Sequence, residues 1–176
     1  MNNQAAVQSN IEFKRHTLSN GLELVAECNP DAVSTGLAFF VRTGARDESI
    51  ELSGVSHFLE HMCFKGTPTR SAEDVNRELD EMGSQSNAFT SQEQTVYFCS
   101  VLPEHQLSAL NLLSDIMRPT LRQSDFDTEK QVILEEIAKY DDQPPYGGHD
   151  AALVKHFKSH PLGNSVLGTA ESVSAL

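Results

Sequence analysis

HFLEH, residues 57–61, is the stretch on which the reading of this chain turns. On an α-helix, residues four apart lie on one face. His57 and His61 then point the same way and can close on one metal ion, and imidazole suits zinc at roughly 2.0–2.1 Å per bond. Glu60 sits beside His61, where its carboxylate can reach a water on the metal rather than the metal itself. The order is the reverse of the H-E-x-x-H arrangement and carries the same chemical parts. Two histidines leave such a site unfinished. It needs a third protein ligand, and a catalytic site keeps a further position open for water.

Outward from the motif, Val55, Phe58, Leu59 and Met62 give the helix an apolar face. Burial of that face takes the histidines inside, where an unpartnered polar pair is costly. The helix is expected to start from a cap at Ser53 and run to about Phe64, with Lys65-Gly66-Thr67-Pro68 as its stop. Residues 123–140 read as a second long helix, with Phe126, Val132, Ile133 and Ile137 on its apolar side. Glu129 and Glu136 stand two turns apart on it, so they share a face that borders this side. A solvated acidic rim is the ordinary reading of such carboxylates, and it is the reading for Glu135 and Asp141. Beside an unfinished pair of histidines, Glu136 becomes the natural third ligand. Glu129 then orients a ligand from behind.

The remaining elements follow in order. Residues 1–11 read as a disordered polar leader. Strands are expected over 12–18 and 22–28 around Ser19-Asn20-Gly21, because Asn and Gly tolerate the positive φ of a tight hairpin turn. A third strand is expected over 33–43 and a charged loop over 44–52. A helix over 71–82 is capped by Ser71 and Asp74 and stopped by Gly83. Residues 84–91 and 94–102 read as a second hairpin. Pro103 opens a helix to about Met117, with Leu107, Leu110, Leu113 and Met117 facing inward. Residues 142–148 are a Pro/Gly-rich break, followed by weaker helix from His149.

At 176 residues the chain has a one-domain length. A formal net charge of -12 and a pI near 4.9 argue against a nucleic-acid partner and are compatible with a basic peptide. No run of eighteen apolar residues exists, so no membrane span is expected. The N-terminus has no secretory or mitochondrial targeting pattern. Cys28, Cys63 and Cys99 contain no C-x-x-C and read as free thiols of a reducing, cytoplasmic compartment. Cys63 turns away from the two motif histidines and reads as a core thiol. His16, His105, His149, His156 and His160 read as surface residues. Arg42, Arg46 and Lys65 read as solvated charges, with acidic substrate groups as the alternative.

The chain resembles a known family over nearly all of its length from residue 12. H-F-L-E-H-M-x-F-K-G-T, residues 57–67, resembles the inverted-motif zinc peptidases of the pitrilysin, insulin-degrading enzyme and mitochondrial processing peptidase group, family M16. Ser19-Asn20-Gly21-Leu22 resembles the family's opening hairpin, and G-S-Q-S-N-A-F-T-S-Q-E-Q-T, residues 83–95, its substrate-side strand. E-K-Q-V-I-L-E-E-I, residues 129–137, resembles the helix of the third ligand. Pro161-Leu162-Gly163 and Leu167-Gly168-Thr169 resemble the segment that closes the half-domain.

The resemblance implies an α+β fold, an antiparallel-rich mixed sheet with helices packed on one face, and the element order above agrees with it. It implies one zinc ion per chain on His57, His61 and Glu136, supported by Glu129. Glu60 would be the general base that takes a proton from water and passes it to the leaving amine. Asn87, Ala88 and Phe89 would lie on an edge strand to which a peptide or unfolded protein substrate adds as a further strand. Relatives are built from two similar halves. Residues 12–176 match the zinc-binding first half, cut before its last strand and helix, with no second half. The implied activity is that of a zinc-dependent metalloendopeptidase. The alternative is a non-catalytic partner or fragment subunit that needs another half, another subunit or a second copy. A ribosylhomocysteine-cleaving lyase shares the inverted motif but uses a Cys as third ligand, and Cys99 lacks that enzyme's surroundings.

Overall fold

The computed structural model describes residues 10–142 and 144–176, without the side chains of residues 141, 142 and 146. The expected leader, except Asn10 and Ile11, and the side chain of Asp141 therefore lie outside the described residues.

Strands β1 (Glu12–Thr17) and β2 (Glu23–Cys28) pair antiparallel, with Glu12 opposite Cys28 and Thr17 opposite Glu23. The turn between them is the expected one. Gly21 takes φ +89°, and the Leu22 amide donates to Asn20 Oδ1 at 3.1 Å. A second sheet contains β3 (Thr35–Val41), β4 (Gln85–Thr90) and β5 (Thr95–Val101) in the order β3-β5-β4. All its pairings are antiparallel. The α+β class holds, and among the described residues the strands form two antiparallel sheets.

Among the described residues six helices accompany these strands: α1 (Val55–Cys63), α2 (Ala72–Glu81), α3 (Gln106–Ile116), α4 (Gln123–Asp142), α5 (Tyr146–Phe157) and α6 (Ala170–Ala175). Successive strand side chains alternate between faces. One face of β5 thus presents Tyr97, Cys99 and Val101, and Leu37 and Phe39 of β3 lie opposite Cys99 and Tyr97. Val75 and Leu79 of α2 and Ala109, Leu112, Leu113 and Ile116 of α3 close this core. Full burial of each large side chain stabilises by about 1.5–3 kcal/mol.

The buried stripe of α3 differs from the expected one, since Leu107 is 77% exposed and Leu110 40% exposed. Pro103 opens a short 3₁₀ turn, and the α-helix starts only at Gln106. Two apolar stripes on α3 satisfy the helical period. The stripe that packs on the sheet is the one carrying Ala109, whose small side chain lets the helix come close.

A second core joins α1, α4 and α6 through Phe58, Met62, Ile133, Ile137 and Val173. The rings of Phe58 and Phe126 stack at 4.3 Å between centroids. Helix α1 is wedged between the cores, with Cys63 in the first and Phe58 and Met62 in the second. Leu59 and Val132 were expected on the buried faces and are instead 43% and 44% exposed; Leu134 packs where Val132 was expected.

The start of α1 also corrects an expectation. Its cap is Gly54 at φ +93°, not Ser53. The Glu48 carboxylate accepts from the Gly54 and Ser56 amides, each at 2.7 Å, and satisfies two donors at the helix N-terminus. The Ser53 carbonyl accepts from Ser172 Oγ instead. A Cβ on Gly54 would stand 2.6 Å from the Leu167 carbonyl oxygen, and one on Gly168 would stand 2.4 Å from that of Ser53. These two glycines let residues 167–168 lie directly on the first turn of α1.

Helix α2 carries the expected capping box of Ser71 and Asp74. The charged loop holds two 3₁₀ turns, and α5 begins at Tyr146, inside the expected break. No helix among the described residues is long and apolar enough to cross a membrane.

Candidate metal centre

Helix α1 sets the imidazoles of His57 and His61 side by side, 4.6 Å between centroids. Helix α4 packs on α1 through Phe58 and Ile133 and brings Glu136 to face both rings. Glu136 Oε2 lies 3.8 Å from His57 Nε2 and 3.7 Å from His61 Nε2. One donor atom from each of the three residues falls within 4.8 Å of the others. Donors bound tetrahedrally to one zinc ion stand about 3.4 Å apart, so the two Glu136 contacts need only a few tenths of an ångström of contraction to reach that spacing. Two imidazoles and one carboxylate are also a donor set of the right softness for zinc.

His61 is held from behind. Its Nδ1 lies 2.8 Å from Glu129 Oε1, and Lys65 Nζ lies 2.6 Å from Glu129 Oε2. Glu129 is only 4% exposed. Burial pushes its pKa up, but hydrogen bonds from Lys65 and His61 outweigh that and hold it below the usual carboxylate range. An ionised carboxylate only accepts, so His61 donates from Nδ1, and Nε2 is the ring atom that faces Glu136. Lys65 is therefore not the solvated charge that its sequence context suggests.

His57 is oriented differently. Its buried Nδ1 has no hydrogen-bond partner among the described residues, so packing alone sets the ring. Burial, and then the neighbouring His61, lower its pKa to about 4. The ring is neutral near pH 7, the form a metal requires.

Glu60 is buried on the same face. Burial raises its pKa, and a 2.6 Å hydrogen bond donated by Thr90 Oγ1 to Oε2 only partly offsets this. Glu60 Oε1 has no hydrogen bond among the described residues. A buried carboxyl with an elevated pKa is suited to accept and return a proton near neutrality.

These four residues open into a cleft of about 640 Å³. Ala88, Phe89 and Thr90 wall one side, and Tyr140, His149 and Asp150 wall the other. Among the described residues strand β4 pairs only with β5, which leaves it at the edge of the sheet. Asn87 lies on this strand but does not line the cleft, and its Oδ1 accepts from the Ala88 amide at 2.9 Å. His149, expected among the surface histidines, is exposed and also on the cleft wall. Thr90 was missed, although the strand period from Ala88 puts it on the same face. Tyr140 and Asp150 were also missed, and nothing in their local sequence marks them. Arg46 and Arg42 pair with Glu93 and Glu23, and neither lines the cleft.

Comparison with known proteins places the chain in a family. Residues 23–170 match the family described as Insulinase (Peptidase family M16). An uncharacterised zinc protease of Bacillus subtilis is 42% identical over 164 residues, covering 93% of this chain and 40% of the relative. The crystal structure of a protease from Helicobacter pylori superposes with a TM-score of 0.86 at 26% identity, covering 93% of this chain and 40% of that one. Pitrilysin, at 23% identity and a TM-score of 0.81, shares the fold over 95% of this chain and 18% of its own. The chain thus spans about two-fifths of the length of the Bacillus relative. It belongs to peptidase family M16.

Proposed function

We propose that this chain carries the zinc-binding and proton-transferring part of a metalloendopeptidase. The observation that carries the reading is the convergence of His57, His61 and Glu136 donor atoms within 4.8 Å, beside the buried Glu60, in one cleft. The zinc-protease names of the relatives support the same class. His57, His61 and Glu136 hold one zinc ion, and Glu129 fixes the His61 ring. Bound zinc supplies a positive centre that acidifies water and polarises a carbonyl. Glu60 takes the proton of the attacking water on Oε1 and delivers it to the leaving nitrogen. Thr90 meanwhile holds Oε2 in place. An extended peptide or unfolded segment adds to the open edge of β4 along Asn87, Ala88 and Phe89, whose backbone groups supply its hydrogen bonds.

A second observation favours action as part of a larger assembly. Phe13, Val25 and Phe40 on the two sheets are 72%, 73% and 67% exposed. A second M16-like half, another subunit or a second copy would cover such surfaces.

Cleavage of an internally quenched peptide by the zinc-loaded protein, wild type against Glu60→Gln, tests the reading. The variant should keep its zinc and lose about 100-fold or more in rate. Wild-type cleavage by Glu60→Gln would overturn it. Zinc bound without cleavage by the wild-type chain alone would favour the assembly.

A further inference from the structure

We propose that Lys65 is a positioning residue of the metal centre: it grips one oxygen of the buried Glu129 carboxylate, fixes the other on His61, and thereby sets how tightly zinc is held. The proposal rests on the zinc reading above and adds to it a residue outside the HFLEH stretch and the ligand set.

Lys65 is placed by the backbone around it. It follows the last turn of α1, and its own backbone is pinned on both sides. Its amide donates to the Met62 carbonyl at 3.1 Å, and its carbonyl accepts from the Arg122 guanidinium at 2.6 Å. The next carbonyl, that of Gly66, accepts from the Thr120 amide at 3.1 Å. The long side chain thus leaves a fixed point and reaches Glu129 Oε2 at 2.6 Å.

Glu129 needs that contact. Its side chain is 5% exposed, and its two oxygens have one charged or polar partner each, Lys65 and His61. The terminal torsion of a Glu side chain is broad, so a carboxylate tied at one oxygen can swing about it. A carboxylate tied at both cannot. With Oε2 taken by Lys65, Oε1 stays on His61 Nδ1, and His61 Nε2 stays aimed at Glu136. Groups that orient a metal-binding histidine in this way typically contribute 10–100-fold in metal affinity.

The rival account is a brace between α1 and α4 with no bearing on the metal. Zinc affinity by chelator competition at neutral pH separates the two. Lys65→Met should weaken zinc about 10-fold, Lys65→Arg should restore most of this, and Lys65→Met should add nothing in a Glu129→Gln background. A brace would lower the unfolding midpoint when Lys65→Met is made in the wild-type background and leave zinc affinity alone. Equal zinc affinity in wild type and Lys65→Met overturns the proposal while leaving the zinc reading intact. If the wild type binds no zinc, that reading fails instead, and the metal-free protein still decides the role of Lys65. Nitrogen NMR of the His61 ring should then show the proton on Nδ1 in the wild type and a mixture in Lys65→Met. The same ring form in both would overturn the proposal.

Discussion

Removing the Glu48 carboxylate should unfasten the start of α1, and with it His57. No side chain at the N-cap position covers the first turn, because Gly54 stands there. The cover comes from six residues upstream, where Glu48 accepts from Gly54 and Ser56 at 2.7 Å each. Ser56 is 7% exposed, so its amide would gain little water in exchange. Hydrogen bonds to a charged group contribute about 1.5–3 kcal/mol each. Glu48 is itself half-buried, so partial rehydration reduces the sum, and Glu48→Ala should cost about 2–4 kcal/mol. Glu48→Gln keeps one acceptor and should lose about half as much. Guanidinium unfolding of the metal-free protein reads both values directly. Because His57 is the third residue of α1, zinc affinity should fall in the same order. A Glu48→Ala protein within about 0.5 kcal/mol of wild type would refute the capping argument.

The metal-free protein should also lose stability on mild acidification. His57 has a folded-state pKa of about 4 against an ordinary 6.5, so the unfolded chain takes up the proton first as the pH falls. This contribution is complete above pH 6.5 and is lost between 6.5 and about 4, by up to about 3 kcal/mol. The depressed Glu129 carboxyl adds a further loss only below its ordinary 4.5. Unfolding midpoints across this window check the slope, which His57→Phe should flatten; an equal slope in both proteins would contradict the assignment. Phe58→Ala, at 1% exposure and stacked on Phe126, should cost about 3–5 kcal/mol. Its neighbour Leu59, 43% exposed, should cost less than about 1 kcal/mol on truncation in the same denaturation assay.

What could be read from the sequence was what depends on short separations. The Asn20-Gly21 turn, the Ser71–Asp74 capping box and the pairing of His57 with His61 each follow from local geometry. Glu136 was reachable because a seven-residue step keeps it on the face that carries Glu129. The errors arise where two local solutions are equally good. Leu107, Leu110, Leu112 and Leu113 offer α3 two apolar stripes, and only the closeness of the sheet selects the one with Ala109. Val132 and Leu134 differ in the same way on α4. The parts of the site that were not legible are all tertiary. Thr90 is thirty residues from Glu60, and Glu129 is sixty-four from Lys65. Glu48 caps a helix it does not belong to. No periodicity joins such pairs; the folded backbone does.

The zinc site proposed above draws its ligands from α1 and α4. Zinc per purified chain, measured by elemental analysis for wild type and Glu136→Ala, tests it most directly. The account predicts about one zinc in the wild type and a marked loss in the variant. A folded wild-type chain without zinc, or a Glu136→Ala chain that holds it as firmly as wild type, would contradict it.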